Sequence, residues 1–309
     1  MSISLVIPVF NNEENIPELS KMLVEQQIIF RSHGIELEPI LVIDGSPDNS
    51  HSALITNKKL NLIPSETKIV KLSKNFGQQS ALLAGLETST GNCVICYSAD
   101  MQDPPELFWE MYKSYQLNNE IVLAVRSSRN DNWLTNFTSR IGWKLLKNGV
   151  PTIPKGGFDF FLIGEQVKNL LLSRAGTRRF IQVDIVNFGF LRTEIKYNRA
   201  KRTHGKSAYN FPKRFKVFAD AFYDSSDLPI KLCTRFGLVI SALGLFSAVI
   251  LLVQYFRGIS PFNGFTAIIT SILILGGVQL SIIGVIGEYI YRIFDIVRNK
   301  PRFIIESIQ

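Results

Sequence analysis

The stretch VICYSADMQDPPE, Val94 to Glu106, reads as a buried strand that stops abruptly in acidic and amide side chains. Side chains alternate faces along a strand, so the spacing predicts Ser98, Asp100 and Gln102 projecting together from its carboxyl end, with Met101 pointing the other way. Such an oxygen-rich cluster suits a hard divalent cation, which needs only one or two protein oxygens when substrate phosphates supply the rest. In an open α/β sheet, ligands bind outside the carboxyl ends of the strands, so a cation and a diphosphate are the first expectation. The bland alternative is a polar turn closed by Pro104-Pro105, in which Asp100 or Asp103 only satisfies backbone donors.

Upstream of this stretch the chain alternates strands and helices. Ser4 to Val9 is an apolar strand followed by Asn11-Asn12-Glu13-Glu14, after which Ile16, Leu19, Met22 and Leu23 recur at helical spacing. Pro39 to Ile43 gives a second strand, which delivers Asp44 to its carboxyl end. Lys68 to Leu72 gives a third, and Asn75-Phe76-Gly77 opens a helix that stops at Gly91. This β-α alternation predicts an α/β fold with a doubly wound, mostly parallel sheet.

Downstream, the pattern predicts a helix from Pro105 to Gln116, a strand from Ile121 to Val125 and a helix from Asn136 to Lys147. A strand after Gly156-Gly157 and a helix from Glu165 to Leu172 follow. Val183 to Leu191 and Glu194 to Tyr197 read as a hairpin feeding a basic loop, Arg199 to Lys206.

Beyond Arg235 the composition changes. Two apolar runs, Phe236 to Phe256 and Phe265 to Gly287, each reach the roughly 20 residues that cross a bilayer. Basic residues flank them, Lys213, Arg214, Lys216, Lys231 and Arg235 before and Arg292, Arg298, Lys300 and Arg302 after, with only Arg257 between. Phe211, Phe215, Phe218 and Phe222 fall on one helical face just upstream, which predicts an interfacial amphipathic helix. The expectation is a multi-pass protein of the cytoplasmic membrane, with no cleavable signal and the N-terminal domain in the cytoplasm.

The divisions expected are a catalytic domain at 1–208, juxtamembrane helices at 209–234, two spans at 235–291 and a basic tail at 292–309. The formal net charge of +8 then serves lipid and phosphate rather than nucleic acid, for which no motif is visible. Cys93 and Cys96 mimic a CxxC pair, but their odd separation on a strand sends them to opposite faces, so both read as core residues. His33, His51 and His204 are too scattered to hold a metal.

With these residues placed, the chain resembles the polyprenyl-phosphate glycosyltransferases of the GT-A fold. The resemblance is carried by IPVFNNEENI from Ile7, DGSPDNS from Asp44, KNFGQQSALLAG from Lys74 and SADMQDPPE from Ser98. GGFDFFL from Gly156, RTHGKSAY from Arg202 and GEYIYRI from Gly287 continue it, so that it spans nearly the whole length. It implies that Pro8, Phe10, Asn12, Asp44 and Ser98 bind the nucleotide, and that Asp100 and Gln102 hold Mg2+ or Mn2+. It further implies an acidic residue near the acceptor phosphate at Asp159, and a loop bearing Arg202, Lys206 and Ser207 that closes over phosphate. Asp100, Asp159 and Arg202 are the catalytic candidates.

The reaction implied is inverting transfer of a sugar from a nucleotide diphosphate-sugar, a UDP-sugar foremost, to a polyprenyl phosphate. Membrane lipid and further copies of the chain are the other expected partners. The chain departs from the family's usual pattern at Asn12, Ser98, Phe161 and Ala208, where Glu, Asp, Arg and Lys are frequent. Two alternatives remain at this stage, a non-catalytic nucleotide-sugar-binding partner protein and a processive polysaccharide synthase.

Overall fold

The computed structural model describes residues 2–127, 153–154, 157–174, 180–199, 228–257, 265–298 and 300–309. The helix expected at Asn136 to Lys147, the phenylalanine-faced helix and the loop with Arg202, Lys206 and Ser207 lie outside them. The chain divides into two compact units, residues 1–224 with 299–309, and residues 225–298.

The first unit is built on one eight-stranded sheet. Its strands are β1 (Ser2–Val9), β2 (Glu36–Ile43), β3 (Lys68–Leu72), β4 (Cys93–Cys96), β5 (Ile121–Arg126), β6 (Phe160–Gly164), β7 (Arg192–Tyr197) and β8 (Ile305–Ile308). They lie in the order β7-β5-β6-β4-β1-β2-β3-β8. The half containing β3, β2, β1 and β4 is parallel, as the alternation predicts. The other half is mixed: β6 runs antiparallel to both β4 and β5, β7 is parallel to β5, and β8 closes the β3 edge antiparallel. The sheet is therefore mixed rather than mostly parallel.

Strands buried on both faces need apolar side chains on both, which is why β1, β4 and β5 read as continuous apolar runs. One face, with Leu5, Ile7, Leu41 and Ile95, packs against α1 (Ile16–Ser32), α2 (Ser50–Lys59) and α4 (Leu107–Gln116). The other, with Val6, Val42, Val94 and Leu123, packs against α3 (Gln78–Thr88), α5 (Glu165–Ser173) and α6 (Ile181–Asn187). Each fully buried Leu, Ile or Phe contributes about 1.5–3 kcal/mol over an exposed one. Cys93 joins the first cluster and Cys96 the second, so the two thiols do face apart, and burial pushes both pKa values upward. Gly85 of α3 lets that helix press onto β1, since a Cβ there would lie 2.3 Å from Val6 Cγ1.

At the amino-terminal edge, Glu38 rivets four segments together. Its carboxylate accepts from Ser4 Oγ at 2.5 Å, Thr90 N at 2.9 Å and Thr90 Oγ1 at 2.8 Å, and pairs with Lys68 Nζ at 2.6 Å. Burial alone raises the Glu38 pKa, but the bonds from Lys68, Ser4 and Thr90 together outweigh it and the net shift is downward. A lowered carboxylate contributes stability above its unfolded value of 4.5, and that stability is lost as pH falls through the folded value. Glu38→Gln is expected to lower stability at neutral pH by about 2 kcal/mol and to flatten the acid limb below about pH 5, measured as urea midpoints across the pH range.

Two segments differ from their sequence reading. Val183 to Leu191 is no strand: Ile181–Asn187 is the short helix α6, and Arg192–Tyr197 pairs in parallel with β5 instead of forming a hairpin. The alternation misleads because Asp184 is a buried polar residue rather than a solvent-facing one, paired with Arg174, and Gln182 just before it is buried against Gln79. In the tail, Ile305–Ile308 forms an edge strand where only basic residues had been read.

The second unit consists of α7 (Leu228–Phe256) and α8 (Phe265–Val297), 29 and 33 residues long, which touch one another. Among the described residues, no helix is long and apolar enough to cross a membrane. The two expected spans and the multi-pass membrane placement are corrected on that ground.

Candidate active site

The carboxyl edge of the parallel half-sheet gathers the loops after β1, β2, β3 and β4. The first two are knitted to each other. Asn11 N donates to Ser46 Oγ at 2.7 Å, Asn12 N to Ser50 Oγ at 3.2 Å and Glu13 N to Asp48 Oδ2 at 3.0 Å. In return, Asn49 N and Nδ2 both donate to the Glu13 carboxylate at 3.1 Å. Burial raises the Asp48 pKa, but bonds from the Ser46 and Ser50 hydroxyls and the Glu13 and Ser50 N–H groups lower it further, so its charge is held.

Asp44, 3% exposed, accepts from Phe76 N at 2.7 Å and Gly77 N at 2.9 Å, one bond to each oxygen. Burial raises its pKa and these two bonds offset that only in part. The turn after it requires glycine: Gly45 has φ +57°, and a Cβ there would sit 2.2 Å from Asn75 N. Phe10 is 38% exposed beside this seat, Pro8 is half-buried, and the Asn12 side chain accepts from Asn15 Nδ2 at 3.3 Å.

β4 ends at Cys96, earlier than the sequence reading required, so strict alternation does not place Ser98, Asp100 and Gln102. The backbone turns instead, with Met101 at φ +52° and Gln102 N 3.5 Å from Asp100 Oδ1. Ser98 and Gln102 are half-buried, while Asp100 is 9% exposed and Asp103 only 1%. Both carboxylates meet one guanidinium: Arg199 Nη2 lies 3.3 Å from Asp100 Oδ2 and Arg199 Nε 3.1 Å from Asp103 Oδ1. Asp103 Oδ1 also accepts from Tyr197 Oη at 2.5 Å, and its main-chain carbonyl accepts from Tyr97 Oη at 2.6 Å. Burial raises the pKa values of Asp103, Tyr97 and Tyr197.

The network continues. Tyr197 stands opposite Arg126 in the β5–β7 register, and their side chains are hydrogen-bonded. Arg126 Nη2 pairs with Asp159 Oδ2 at 3.1 Å, and Gln182 Nε2 reaches Asp159 Oδ1 at 3.4 Å. Burial lowers the Arg126 pKa, but Tyr197, Asp159 and Asp103 outweigh it and the net shift is upward. Asp100 and Asp159, far apart in sequence, thus share one line of charged and phenolic groups.

The sequence reading names Asp100 and Asp159, the two ends of this line, and not the residues between them. Arg199 was read only as part of a basic loop, and Arg126, Tyr197, Asp103 and Gln182 were not singled out as site residues. Arg126 carried a usable signal, a charge closing an otherwise apolar strand, as Asp44 closes the run before it. The place of Tyr197 carried none, because it depends on the β5–β7 pairing. Phe161 is fully buried against Phe158 in the core.

Among the described residues, no group of three or more His, Cys, Asp or Glu side chains could hold a metal ion, so a cage built by these residues is excluded. The donors at Asp100 and Gln102 still fit a magnesium- or manganese-type site, which takes one or two protein oxygens and completes its shell from water and phosphate. Asp103 Oδ2, three residues along the same turn, is a buried acceptor with no hydrogen-bond partner among the described residues.

The carboxyl edge of the parallel half-sheet, where α/β folds bind their ligands, gathers carboxylates and guanidinium groups. The glycosyl transferase family 2 model matches residues 4–187, and the chain belongs to that family; it is a glycosyltransferase. It is 33% identical to an uncharacterised glycosyltransferase of Synechocystis sp., over all of this chain and 96% of the relative. It is also 33% identical to a prophage-derived bactoprenol glucosyl transferase of Shigella flexneri, covering 99% of this chain and 98% of that one. A prophage bactoprenol glucosyl transferase homologue of Escherichia coli K12 is 33% identical over the full length of both chains.

Among solved structures, glucosyl-3-phosphoglycerate synthase of Mycobacterium tuberculosis in complex with phosphoglyceric acid superposes with TM-score 0.51 at 17% identity. It covers 72% of this chain and 80% of that one. The same enzyme in complex with Mn2+ and UDP-glucose gives 0.50 at 16% identity, covering 72% and 77%. These likenesses establish the GT-A-like fold.

Proposed function

We propose that the protein transfers a hexose, glucose first among the candidates, from a UDP-sugar to a polyprenyl phosphate, inverting the anomeric carbon. The observation that carries this reading is full-length identity to relatives named as bactoprenol glucosyl transferases. The line of groups from Asp100 to Asp159 gives it a chemical basis.

In this reading Phe10 and the Asp44–Gly45 turn seat the base, with Asn12, Pro8 and Ser98 around it. Asp100 and Gln102 would hold a divalent cation, which when bound would supply positive charge to the diphosphate. An acceptor phosphate oxygen attacks the anomeric carbon as the bond from that carbon to the diphosphate oxygen breaks, and the electron pair leaves with UDP. Phosphate monoesters with pKa near 6 are largely dianionic at neutral pH, so the acceptor is a nucleophile without a base. Asp159 therefore orients Arg126 and the acceptor rather than removing a proton, and Arg202, Lys206 and Ser207 contribute phosphate contacts.

Purified protein given radiolabelled UDP-glucose and detergent-dispersed undecaprenyl phosphate should move label into the organic phase. Folded protein that moves none, with any of a panel of nucleotide sugars, overturns the proposal. Asp159→Asn should slow the single-turnover step by only about tenfold, below the 10²–10⁴-fold range of a true general base. A loss equal to that of Asp100→Asn would make Asp159 the base instead.

A further inference from the structure

Arg199 makes an unusual use of its guanidinium. Its Nε and Nη2 form the edge that ordinarily grips one carboxylate with two parallel bonds. Here the edge is split between two aspartates, Nε on Asp103 Oδ1 and Nη2 on Asp100 Oδ2. The split leaves Asp103 Oδ2 buried with no partner among the described residues, while Tyr197 fixes Oδ1. A buried carboxylate oxygen without a donor carries an uncompensated desolvation cost.

We propose that Arg199 is an exchangeable counter-ion of the cation site: it neutralises Asp100 before a divalent cation arrives and yields Asp100 Oδ2 when one binds. Its Nη2 then turns onto Asp103 Oδ2, and the guanidinium becomes two-pronged on Asp103 alone. The inference rests on the reading that Asp100 takes a cation, and adds a positioning role for a residue outside the cation's own donors. Counting Asp100, Asp103 and Arg199 alone, the formal charge before entry is −1. Entry of a dication makes it +1, ready for a diphosphate. Asp103 is suited to be the fixed anchor because it is the more deeply buried of the two and is held by Tyr197.

The sign of one measurement separates this role from simple support. A cation competing with Arg199 for Asp100 must bind more tightly once Arg199 is neutral. If Arg199 only steadied Asp100, its removal would weaken binding. Full-length wild type, Arg199→Met and Arg199→Lys are titrated with Mn2+ in the absence of nucleotide, following free Mn2+ by its paramagnetic resonance signal. Arg199→Met should bind Mn2+ about fivefold more tightly, the effect of removing one positive charge beside a ligand oxygen. Arg199→Lys keeps the charge without the two-pronged edge, and should bind no more tightly than wild type.

Arg199→Gln replaces the Met variant if the latter does not fold, with the same expected gain. Unchanged or weaker Mn2+ binding in the neutral variant, with wild-type binding detectable, overturns the exchange and leaves the cation reading standing. Absence of Mn2+ binding in both wild type and the neutral variant overturns both.

Discussion

Asp100→Asn is expected to reduce turnover by about a thousandfold at saturating substrates, with the fold intact by circular dichroism and thermal melting. The substitution removes a full negative charge while keeping nearly the same shape. Asp100 is 9% exposed and one of its oxygens already faces Arg199 at 3.3 Å, so an amide at that position would turn either an NH2 group or an uncharged oxygen toward it. In the proposed reaction the departing diphosphate develops charge as the sugar leaves. Losing one preorganised electrostatic contact of that kind costs about 10²–10³ in rate. Radiolabel transfer in a single-turnover assay provides the measurement, and a loss of less than tenfold would remove Asp100 from the reaction.

Gly45→Ala should have the largest effect on stability, about 3 kcal/mol or more, read as a fall in urea midpoint with little change in slope. Two separate costs add at this position. An L-residue at φ +57° pays about 1 kcal/mol for its backbone conformation. The new Cβ would also lie 2.2 Å from Asn75 N and 2.4 Å from the Lys74 carbonyl carbon, and backbone cannot swing aside as a side chain can. Moving the 74–75 segment would also pull Phe76 and Gly77 away from the Asp44 carboxylate that both now reach. Gly34→Ala is the control: φ is +70° there but nothing lies within 4 Å, so only the first cost of about 1 kcal/mol applies. Equal losses at the two glycines would mean that the clash at Gly45 relaxes freely.

The half of the sheet that reads clearly from sequence is the half in which local pattern and tertiary environment agree. β1 to β4 are buried on both faces, so they are short apolar runs, and their carboxyl ends are marked by Asp44 and by the turn that carries Asp100. In the other half the pattern misleads. Asp184 looks like the exposed face of a strand, yet it is buried and paired with Arg174, and its neighbour Gln182 is buried against Gln79 of a distant segment. β8 alternates half-buried and exposed residues over four positions, too short and too open a signal to separate from a polar tail.

The site shows the same division. The turn bearing Asp100 stands out because it interrupts an apolar strand. Arg199 and Tyr197 acquire their meaning only from the β5–β7 register, which sets Arg126 opposite Tyr197. The apolar runs at 236–256 and 265–287 read as membrane spans in the sequence, yet among the described residues no helix is long and apolar enough to cross a membrane.

β8 also governs when the sheet can be finished. Lys71 and Glu306 join β3 to β8 at 2.8 Å across a separation of 235 positions. A ribosome working from the amino end therefore exposes the outer rim of β3, with its row of unmet amide and carbonyl groups, long before the covering strand is made. Newly made chains would depend in that interval on chaperones or on rapid completion of synthesis. Nascent chains stalled before residue 300 should then be markedly more prone to stick to one another than those released with β8 in place.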